Sequence, residues 1–331
     1  MTVAMPRRPP AQPLRHMHFV LRHRVPLPAN FRHADVLAFH GRDPHALAER
    51  VTASRLDKGL VWQGMPALLS LSFQDDAVDA ELAVDGGRDT DSGADANTPQ
   101  RRFEAMVQRM LGLDQDVEGF ERAHQHHPEL GPVLARQSGL RVPVTATPFE
   151  AVSWAITGQQ ISVKAAVAIR RRMIEACDIR HRSGSLCHPQ ASHLLALGEA
   201  GLRAAGFTAS KARTLLTVSE AVQGGALPLS EGLDDGPGDI AAQLLAIKGI
   251  GPWTVSYALM RGFGWLDGSL HGDVAVRRAL GLLLAPCSDS AQQPSPAPTV
   301  TAQAAEAWLA PLSPWRALAA AHLWASLSMA A

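Results

Sequence analysis

The stretch IKGIGPWT at residues 247–254, followed by HGD at residues 271–273, decides how this chain is expected to fold. Apolar residues at helical spacing stand on both sides of the central Gly-Ile-Gly: Ile240, Leu244 and Leu245 before it, and Val255, Leu259 and Met260 after it. The pattern predicts two short helices joined by a tight turn. Gly249 and Gly251 suit that turn because, without a Cβ, they reach backbone angles that other residues avoid and let another backbone come close.

The turn also has the chemistry of an anion-binding hairpin. Pro252 fits the first position of a helix, where its missing N–H costs nothing. The other N–H groups at this N-terminus then face outward, with the helix dipole, toward an anion such as a DNA phosphate. Ile250 at the tip is expected to be an apolar pin inside the fold, and an ordinary turn between two helices is the alternative interpretation. The residues of the predicted DNA-binding hairpin are Lys248, Gly249, Ile250, Gly251 and Thr254.

Asp273 lies 20 residues after Trp253 and directly before an apolar and basic run that predicts a helix. One interpretation is an N-cap, a common role of aspartate. The same position would fix its carboxylate at the mouth of a helix, facing a DNA cleft. There it would stabilise positive charge that develops on a sugar as the base leaves, and would orient or deprotonate the attacking water, as carboxylates do in glycosidases. We therefore predict that Asp273 is catalytic.

Two further groups of residues suggest an extruded base. Gln159 and Gln160 interrupt a helical pattern, and one of them would fill the gap left by a nucleotide taken out of the DNA stack. A loop between two core helices is the alternative. Trp253 and Tyr257 are four residues apart and share a helix face, and Trp315 stands near the end of the chain. Core packing would explain all three rings, whereas a pocket of electron-rich rings would favour a cationic alkylated base.

The composition limits the class of protein. The net charge of the 331 residues is zero, so DNA binding must rest on local groups and not on a basic surface. Three cysteines are too few for a disulfide framework or a four-cysteine iron–sulfur cluster, and the 14 histidines are scattered, so neither a metal nor a cofactor is expected. No apolar run has transmembrane length, and the first residues lack the apolar core of a secretory signal. We expect a cytoplasmic, nucleoid-associated monomer without membrane contact.

The expected fold class is α+β, with a small N-terminal antiparallel sheet-plus-helix domain and an all-helical, two-lobed domain after it. Residues 1–15 are expected to be disordered, 16–85 to form the first domain, 86–100 to be a disordered linker, and 101–331 to form the second, with a disordered insertion at 285–300. Strands are predicted at 16–27, 60–62, 67–73 and 77–84, and a helix from Asp43 to about Arg55. Further helices are predicted at 101–111, 116–126, 129–137, 148–158, 162–177, 191–197, 199–205, 209–224, 238–247, 252–262, 273–284, 301–310 and 314–328.

Four segments together make the chain recognisable. They are GQQISVKAA (158–166), LRAAGFTASKARTLL (202–216), KGIGPWTVSYALMR (248–261) and GDVAVRRAL (272–280). In this order they resemble the helix-hairpin-helix, Gly/Pro-rich, aspartate superfamily of DNA glycosylases, and within it the DNA-3-methyladenine glycosylase II family. The resemblance extends over about residues 16–328, apart from the two low-complexity segments, and several motifs in the right order are far more specific than one.

The resemblance implies roles for the matching residues. Asp273 matches the catalytic aspartate, and residues 248–253 match the hairpin that clamps DNA. The aromatic residues of the base pocket are matched by Trp253, Tyr257 and Trp315. Gln160 stands where the family places its DNA-intercalating side chain, which is an apolar wedge in a relative. The family also allows a structural monovalent cation at the hairpin carbonyls.

The resemblance further implies a monofunctional enzyme. Superfamily members with lyase activity carry a lysine where Trp253 stands here, because a Schiff base with the sugar needs an amine nucleophile. We therefore expect a base excision repair glycosylase that flips alkylated purines, 3-methyladenine and 7-methylguanine, out of double-stranded DNA. It would hydrolyse the N-glycosidic bond with Asp273 and leave an abasic site. The alternatives are a non-catalytic helix-hairpin-helix DNA-binding protein, or a glycosylase for another lesion such as uracil or an oxidised purine.

Overall fold

The computed structural model describes residues 18–86, 98–229, 236–285 and 300–329. Its N-terminal part is a five-stranded antiparallel sheet with the strand order β1-β5-β4-β3-β2. The elements are β1 (His18–Pro26), α1 (His33–His40), β2 (Glu49–Val51), β3 (Arg55–Trp62), β4 (Met65–Phe73) and β5 (Ala77–Asp85). The predicted segment 1–15 and most of the segments 86–100 and 285–300 lie outside the described residues.

The strands show the alternation of buried and less buried residues that is typical of a sheet with one face on a core. Along β4 every second residue is buried from Ala67 onward, which is the pattern of a strand with one face on a core. Gln63 and Gly64 make the two-residue turn between β3 and β4, and both have positive φ, as the turn that suits the twist of a hairpin requires. The inner face packs on a helix through side chains such as Phe103 and Met106, both fully buried. The predicted antiparallel sheet with a packed helix is confirmed.

The predicted helix from Asp43 to Arg55 is wrong. Asp43 caps a turn, because its Oδ1 accepts the backbone N–H of His45 at 3.1 Å. The chain then forms β2, and Val51 pairs with Leu56 on β3, which begins at Arg55. An aspartate followed by a proline is typical both of helix starts and of turns. Here the segment forms a turn, because the residues after it pair as β2 with β3.

The remaining described residues are largely helical. The helices are α2 (Pro99–Leu111), α3 (Val117–His124), α4 (Leu130–Arg136), α5 (Pro148–Gly158), α6 (Val163–Cys177), α7 (Ala191–Ala204), α8 (Ala209–Gln223), α9 (Gly236–Leu245), α10 (Pro252–Phe263), α11 (Val274–Leu283), α12 (Ala302–Leu309) and α13 (Arg316–Met329). Two predicted helices, 191–197 and 199–205, are joined as α7 and meet at a kink, where Gly198 has a φ of 67°. The α+β fold class is confirmed, and the domain boundaries stay a prediction. Among the described helices, none has the length and apolar character needed to cross a membrane.

A buried ion network fastens the sheet to the helices. Lys58 on β3 donates to Glu150 on α5 at 2.7 Å and also contacts Glu49 on β2. Arg170 on α6 donates to Glu49 at 2.8 Å and to Glu150 at 2.9 Å. Charges removed from water are tolerated only when they are paired in this way. The network therefore fixes α5 against the sheet, and the C-terminal end of α5 enters the candidate site.

Candidate active site

Three segments that are far apart in the sequence meet around one open cleft of about 760 Å³. They are the C-terminal end of α5 with the loop after it, the turn between α9 and α10, and the N-terminus of α11. The lining residues are Gly158, Gln159, Gln160, Ile161, Ser162, Gly249, Gly251, Trp253, Thr254, Gly272, Asp273, Val274 and Ala275. The cleft brings together the hairpin, the glutamine pair and the aspartate that the sequence singled out separately.

The hairpin depends on close packing at its first glycine. Gly249 has a φ of 95°, and a Cβ there would lie 2.3 Å from the Oγ1 of Thr214. That hydroxyl donates to the carbonyl of Lys248 at 3.0 Å and so holds the turn against α8. Ile250 is 7% exposed, as expected of a pin in the fold. None of the hydrogen bonds among the described residues uses the N–H of Gly249 or Gly251, and these groups lie at the cleft.

The two glutamines of the predicted DNA face differ in their surroundings. The side-chain Nε2 of Gln159 donates to the carbonyl of Gly249 at 2.9 Å and to the Oγ1 of Thr254 at 3.0 Å. The backbone carbonyl of Gln159 accepts a hydrogen bond from the Nζ of Lys211 at 2.6 Å, and burial lowers the pKa of that lysine. Gln159 therefore links the α5 loop to the hairpin. Gln160 is exposed and has a φ of 56°, so its side chain stands free at the tip of the loop.

Asp273 is the N-cap of α11, as one of the two interpretations predicted. Its Oδ1 accepts the backbone N–H groups of Ala275 at 2.9 Å and Val276 at 3.0 Å. Its two oxygens also accept the indole N–H groups of two tryptophans. Trp253 Nε1 lies 2.9 Å from Oδ2, and Trp324 Nε1 lies 3.1 Å from Oδ1. Four N–H donors thus orient a carboxylate at the edge of the cleft, and donors to an ionised group form the stronger class of hydrogen bond.

The rings beside Asp273 form one cluster. Trp253 stacks on Tyr257 with ring centres 5.3 Å apart, and Tyr257 packs against Trp324 at 6.2 Å. The hydroxyl of Tyr257 accepts the indole N–H of Trp154 at 3.0 Å. Tyr257 is only 8% exposed, so its polar end needs this partner. Of the three predicted pocket residues, Trp253 therefore contacts the carboxylate, and Tyr257 packs against the two tryptophans that donate to it.

The third predicted pocket residue lies in other surroundings. Trp315 packs against Phe120, at 6.0 Å between ring centres, and against His124, at 5.9 Å. No contact among the described residues joins Trp315 to Asp273. Its place in a base pocket therefore stays a prediction. Trp324 on α13 makes that contact, and sequence reasoning missed it. The only signal was a tryptophan in a last helix that consists mainly of alanine and leucine.

Large apolar side chains are exposed at both edges of the cleft. Ile161 is 38% exposed and Val163 61% on one side, and Val274 is 76% exposed on the other, next to Asp273. Apolar groups of this size, grouped around a cleft, are typical of a surface that receives a partner.

The described residues offer little to a metal ion. They contain no group of three or more His, Cys, Asp or Glu side chains placed to hold one. The hairpin carbonyls that a monovalent cation would use are partly occupied. Those of Lys248 and Gly249 accept hydrogen bonds from Thr214 and Gln159.

Comparison with known proteins identifies relatives of the helical part. Residues 153–306 match a family described as the HhH-GPD superfamily base excision DNA repair protein. The chain is 30% identical, over 227 residues, to the probable bifunctional transcriptional activator/DNA repair enzyme AlkA of Mycobacterium tuberculosis (strain ATCC 25618 / H37Rv), and the match covers 67% of this chain and 42% of that one. It is 28% identical, over 200 residues, to DNA-3-methyladenine glycosylase 2 of Escherichia coli (strain K12), and this match covers 59% of this chain and 63% of that one. The chain thus spans less than two thirds of the length of these relatives.

One solved structure resembles nearly the whole chain. It is the 3-methyladenine DNA-glycosylase from Archaeoglobus fulgidus, with a TM-score of 0.73, covering 91% of this chain and 97% of that one. The two sequences are 20% identical, so this likeness is one of fold. It includes the N-terminal sheet as well as the helices.

Proposed function

The helical part of this chain belongs to the HhH-GPD superfamily of base excision DNA repair proteins, and on that premise we propose that the protein is a monofunctional DNA glycosylase. Its substrate is double-stranded DNA containing alkylated purines, chiefly 3-methyladenine and 7-methylguanine. It acts as a monomer, because one hairpin and one carboxylate serve one lesion. The observation that carries this proposal is the Asp273 carboxylate, held by two indole N–H groups at the edge of the cleft that the hairpin lines.

Binding of DNA rests on groups that line the cleft. The open N–H groups of Gly249 and Gly251 and the N-terminus of α10 suit a phosphate. Gln160 stands free beside the exposed Ile161, which suits an insertion into the stack where the damaged nucleotide has been taken out. Gln159 positions this loop against the hairpin and does not itself enter the DNA.

The chemistry rests on charge. When the C1′–N bond breaks, positive charge develops on the sugar, and a fixed carboxylate beside it lowers the energy of that transition state. Asp273 supplies this carboxylate and orients the water that attacks C1′. A methylated purine that carries a positive charge leaves as a neutral base, so no partner acid is required.

The lysines favour hydrolysis over strand cleavage. The chain has four, and two of them are engaged inside the protein: Lys58 in the buried ion network and Lys211 on the carbonyls of Thr157 and Gln159. Lys164 and Lys248 are exposed and suit contacts with phosphate. Trp253 occupies the position where an amine would have to stand beside Asp273. The expected product is an abasic site in an intact strand.

The test is release of free base from methylated duplex DNA by the wild type and by Asp273→Asn. Asparagine still caps a helix, so the variant is expected to fold and bind DNA but to release base about 100-fold more slowly or worse, the size of a lost electrostatic contact in an active site. Asp116→Asn is the matched control, because Asp116 caps α3 through Gly119 at 3.0 Å and lies outside the cleft. It should keep the wild-type rate.

A wild type that binds DNA but frees no methylated base would overturn the proposal. Duplexes containing uracil or an oxidised purine would then separate a glycosylase for another lesion from a non-catalytic DNA clamp. A wild type that cuts the strand would contradict the monofunctional assignment.

A further inference from the structure

The loop after α5 is a tight turn that its own sequence does not favour. Gln159 has a φ of −54° and a ψ of 125°, Gln160 has a φ of 56°, and the N–H of Ile161 donates to the carbonyl of Gly158 at 3.5 Å. These angles and this closing contact are those of a type II turn. The third position of such a turn needs a positive φ and is normally glycine, because a Cβ makes that conformation costly. Gln160 stands at this position, so a contact from outside the turn must hold it.

Lys211 on α8 supplies that outside contact. Its Nζ donates to the backbone carbonyl of Gln159 at 2.6 Å and to that of Thr157 at 2.9 Å. Burial lowers the pKa of this amine, and no carboxylate among the described residues raises it. The ammonium group is therefore directed at two carbonyls at the C-terminal end of α5, where the helix dipole favours a cation.

The carbonyl of Gln159 decides which turn forms. Type I and type II turns differ mainly in their central peptide unit, which is rotated by about 180° between them. The second residue has a ψ of about −30° in type I and about +120° in type II, and the third has a φ of about −90° and about +80°. The carbonyl that Lys211 binds belongs to this central unit. Lys211 therefore favours the type II form and keeps Gln160 at its positive φ.

The form of the turn sets the direction of the Gln160 side chain. Rotation of the central peptide moves the backbone nitrogen of Gln160 and so tilts its Cα–Cβ bond. In the observed turn Gln160 is exposed and lines the cleft beside Ile161. A long side chain converts such a tilt into a shift at its amide, and a misplacement of about 1 Å is already costly for a group that positions a substrate.

We propose that Lys211 is a positioning residue for the extrusion of the damaged nucleotide. It holds the turn after α5 in the type II form and so presents Gln160 for insertion into the DNA stack. Lys211 acts through the turn and not on the reacting atoms. This role rests on the proposed glycosylase function and deepens it. Extrusion costs least when the base is unpaired, so the contribution of Lys211 should depend on how firmly the lesion is paired.

The experiment measures base release in single turnover, with excess enzyme, from two duplexes of one sequence. One carries 7-methylguanine opposite cytosine, and the other carries it opposite an abasic-site analogue, where no base pair has to be broken. For Lys211→Met, the paired rate divided by the unpaired rate should fall about tenfold or more, because hydrogen bonds from a charged donor are lost from the inserted state. Methionine keeps the aliphatic stem and favours helices, so the variant is expected to fold.

Gln160→Gly tests the route of the effect. Glycine adopts a positive φ at no steric cost and removes the inserted side chain, so this variant alone should lower the same ratio. Adding Lys211→Met to it should lower the ratio by less than about twofold more, because two residues that act on one step are not additive. A full additional loss would show that Lys211 acts elsewhere and would overturn the inference.

Arg172→Met is the matched control. Arg172 on α6 donates through Nε to the carbonyl of Ala205, the C-cap residue of α7, at 2.7 Å and does not line the cleft. This variant also removes a cation from a helix C-terminus, so it should lower the urea midpoint but leave the ratio unchanged.

An equal loss on both duplexes in Lys211→Met would mean a general structural role or a contact with phosphate, and it would overturn the inference. An unchanged ratio would do the same. A wild type that releases base from neither duplex overturns the glycosylase function itself.

Discussion

Replacing Trp324 with phenylalanine removes one hydrogen bond to the catalytic candidate and keeps an aromatic ring in place. The lost bond is the one from Nε1 to Asp273 Oδ1, at 3.1 Å. The N–H groups of Ala275, Val276 and Trp253 still hold the carboxylate, so the cap of α11 survives. A hydrogen bond to a charged group contributes about 1.5–3 kcal/mol. If the whole contribution is lost from the transition state, base release slows about 10- to 150-fold, since about 1.4 kcal/mol corresponds to a factor of ten.

The assay is single-turnover release of 7-methylguanine, together with the Kd for a duplex that carries an abasic-site analogue. We expect the rate to fall within that range and the Kd to change less than about threefold, because Trp324 contacts the carboxylate and does not line the DNA cleft. Trp308→Phe is the control, since Trp308 lies on α12 and packs against His127, with ring centres 5.7 Å apart. Refutation would be a Trp324→Phe rate within about threefold of the wild type, or a weaker Kd that accounts for the whole loss.

Two further predictions concern the framework of the site. Gly249→Ala should lower the midpoint of urea unfolding and weaken DNA binding, because it places a Cβ 2.3 Å from Thr214 Oγ1 at a φ of 95°. Adding Thr214→Ala to this variant should restore part of the lost stability, because it relieves the clash. A Gly249→Ala variant with the stability of the wild type would contradict the prediction. Burial raises the pKa of Glu150, but nearby cations, led by Lys58, outweigh it and lower the pKa to about 2. The stability that this carboxylate contributes is present above its ordinary pKa of 4.5 and is lost as the pH falls toward 2. The urea midpoint of the wild type should therefore drop between pH 5 and pH 3, and a flatter slope in Glu150→Gln identifies the group.

Local patterns in the sequence were enough for the hairpin and for the position of Asp273. A Gly-Ile-Gly turn before proline and an aspartate before a helical run act within a few residues of themselves. The structure has Pro252 at the start of α10 and Asp273 at the cap of α11 accordingly. The same is true of the helices after residue 98 and of four of the five strands, whose periodicity is a local property.

The features that sequence reasoning missed depend on distant contacts. Trp324 is 51 residues from Asp273, and the glycine carbonyl that Gln159 binds is 90 residues away. No periodicity encodes which ring faces which carboxylate. The error in the predicted helix after Asp43 has the same origin, since Glu49 forms ion pairs with Lys58 and Arg170 in the buried network. There, tertiary pairing overrides a local helix signal.

The two oxygens of Asp273 differ in the number of hydrogen bonds that they accept. Oδ1 accepts three N–H groups, from Ala275, Val276 and Trp324, whereas Oδ2 accepts one, from Trp253. A carboxylate oxygen has about two lone-pair sites, so Oδ1 is saturated and Oδ2 keeps a site for water or for the charge on the sugar. In the proposed mechanism the helix cap and the reacting oxygen are therefore different atoms of one side chain, and the two interpretations of this aspartate are compatible. In that mechanism a single carboxylate suffices, because the leaving base brings its own positive charge.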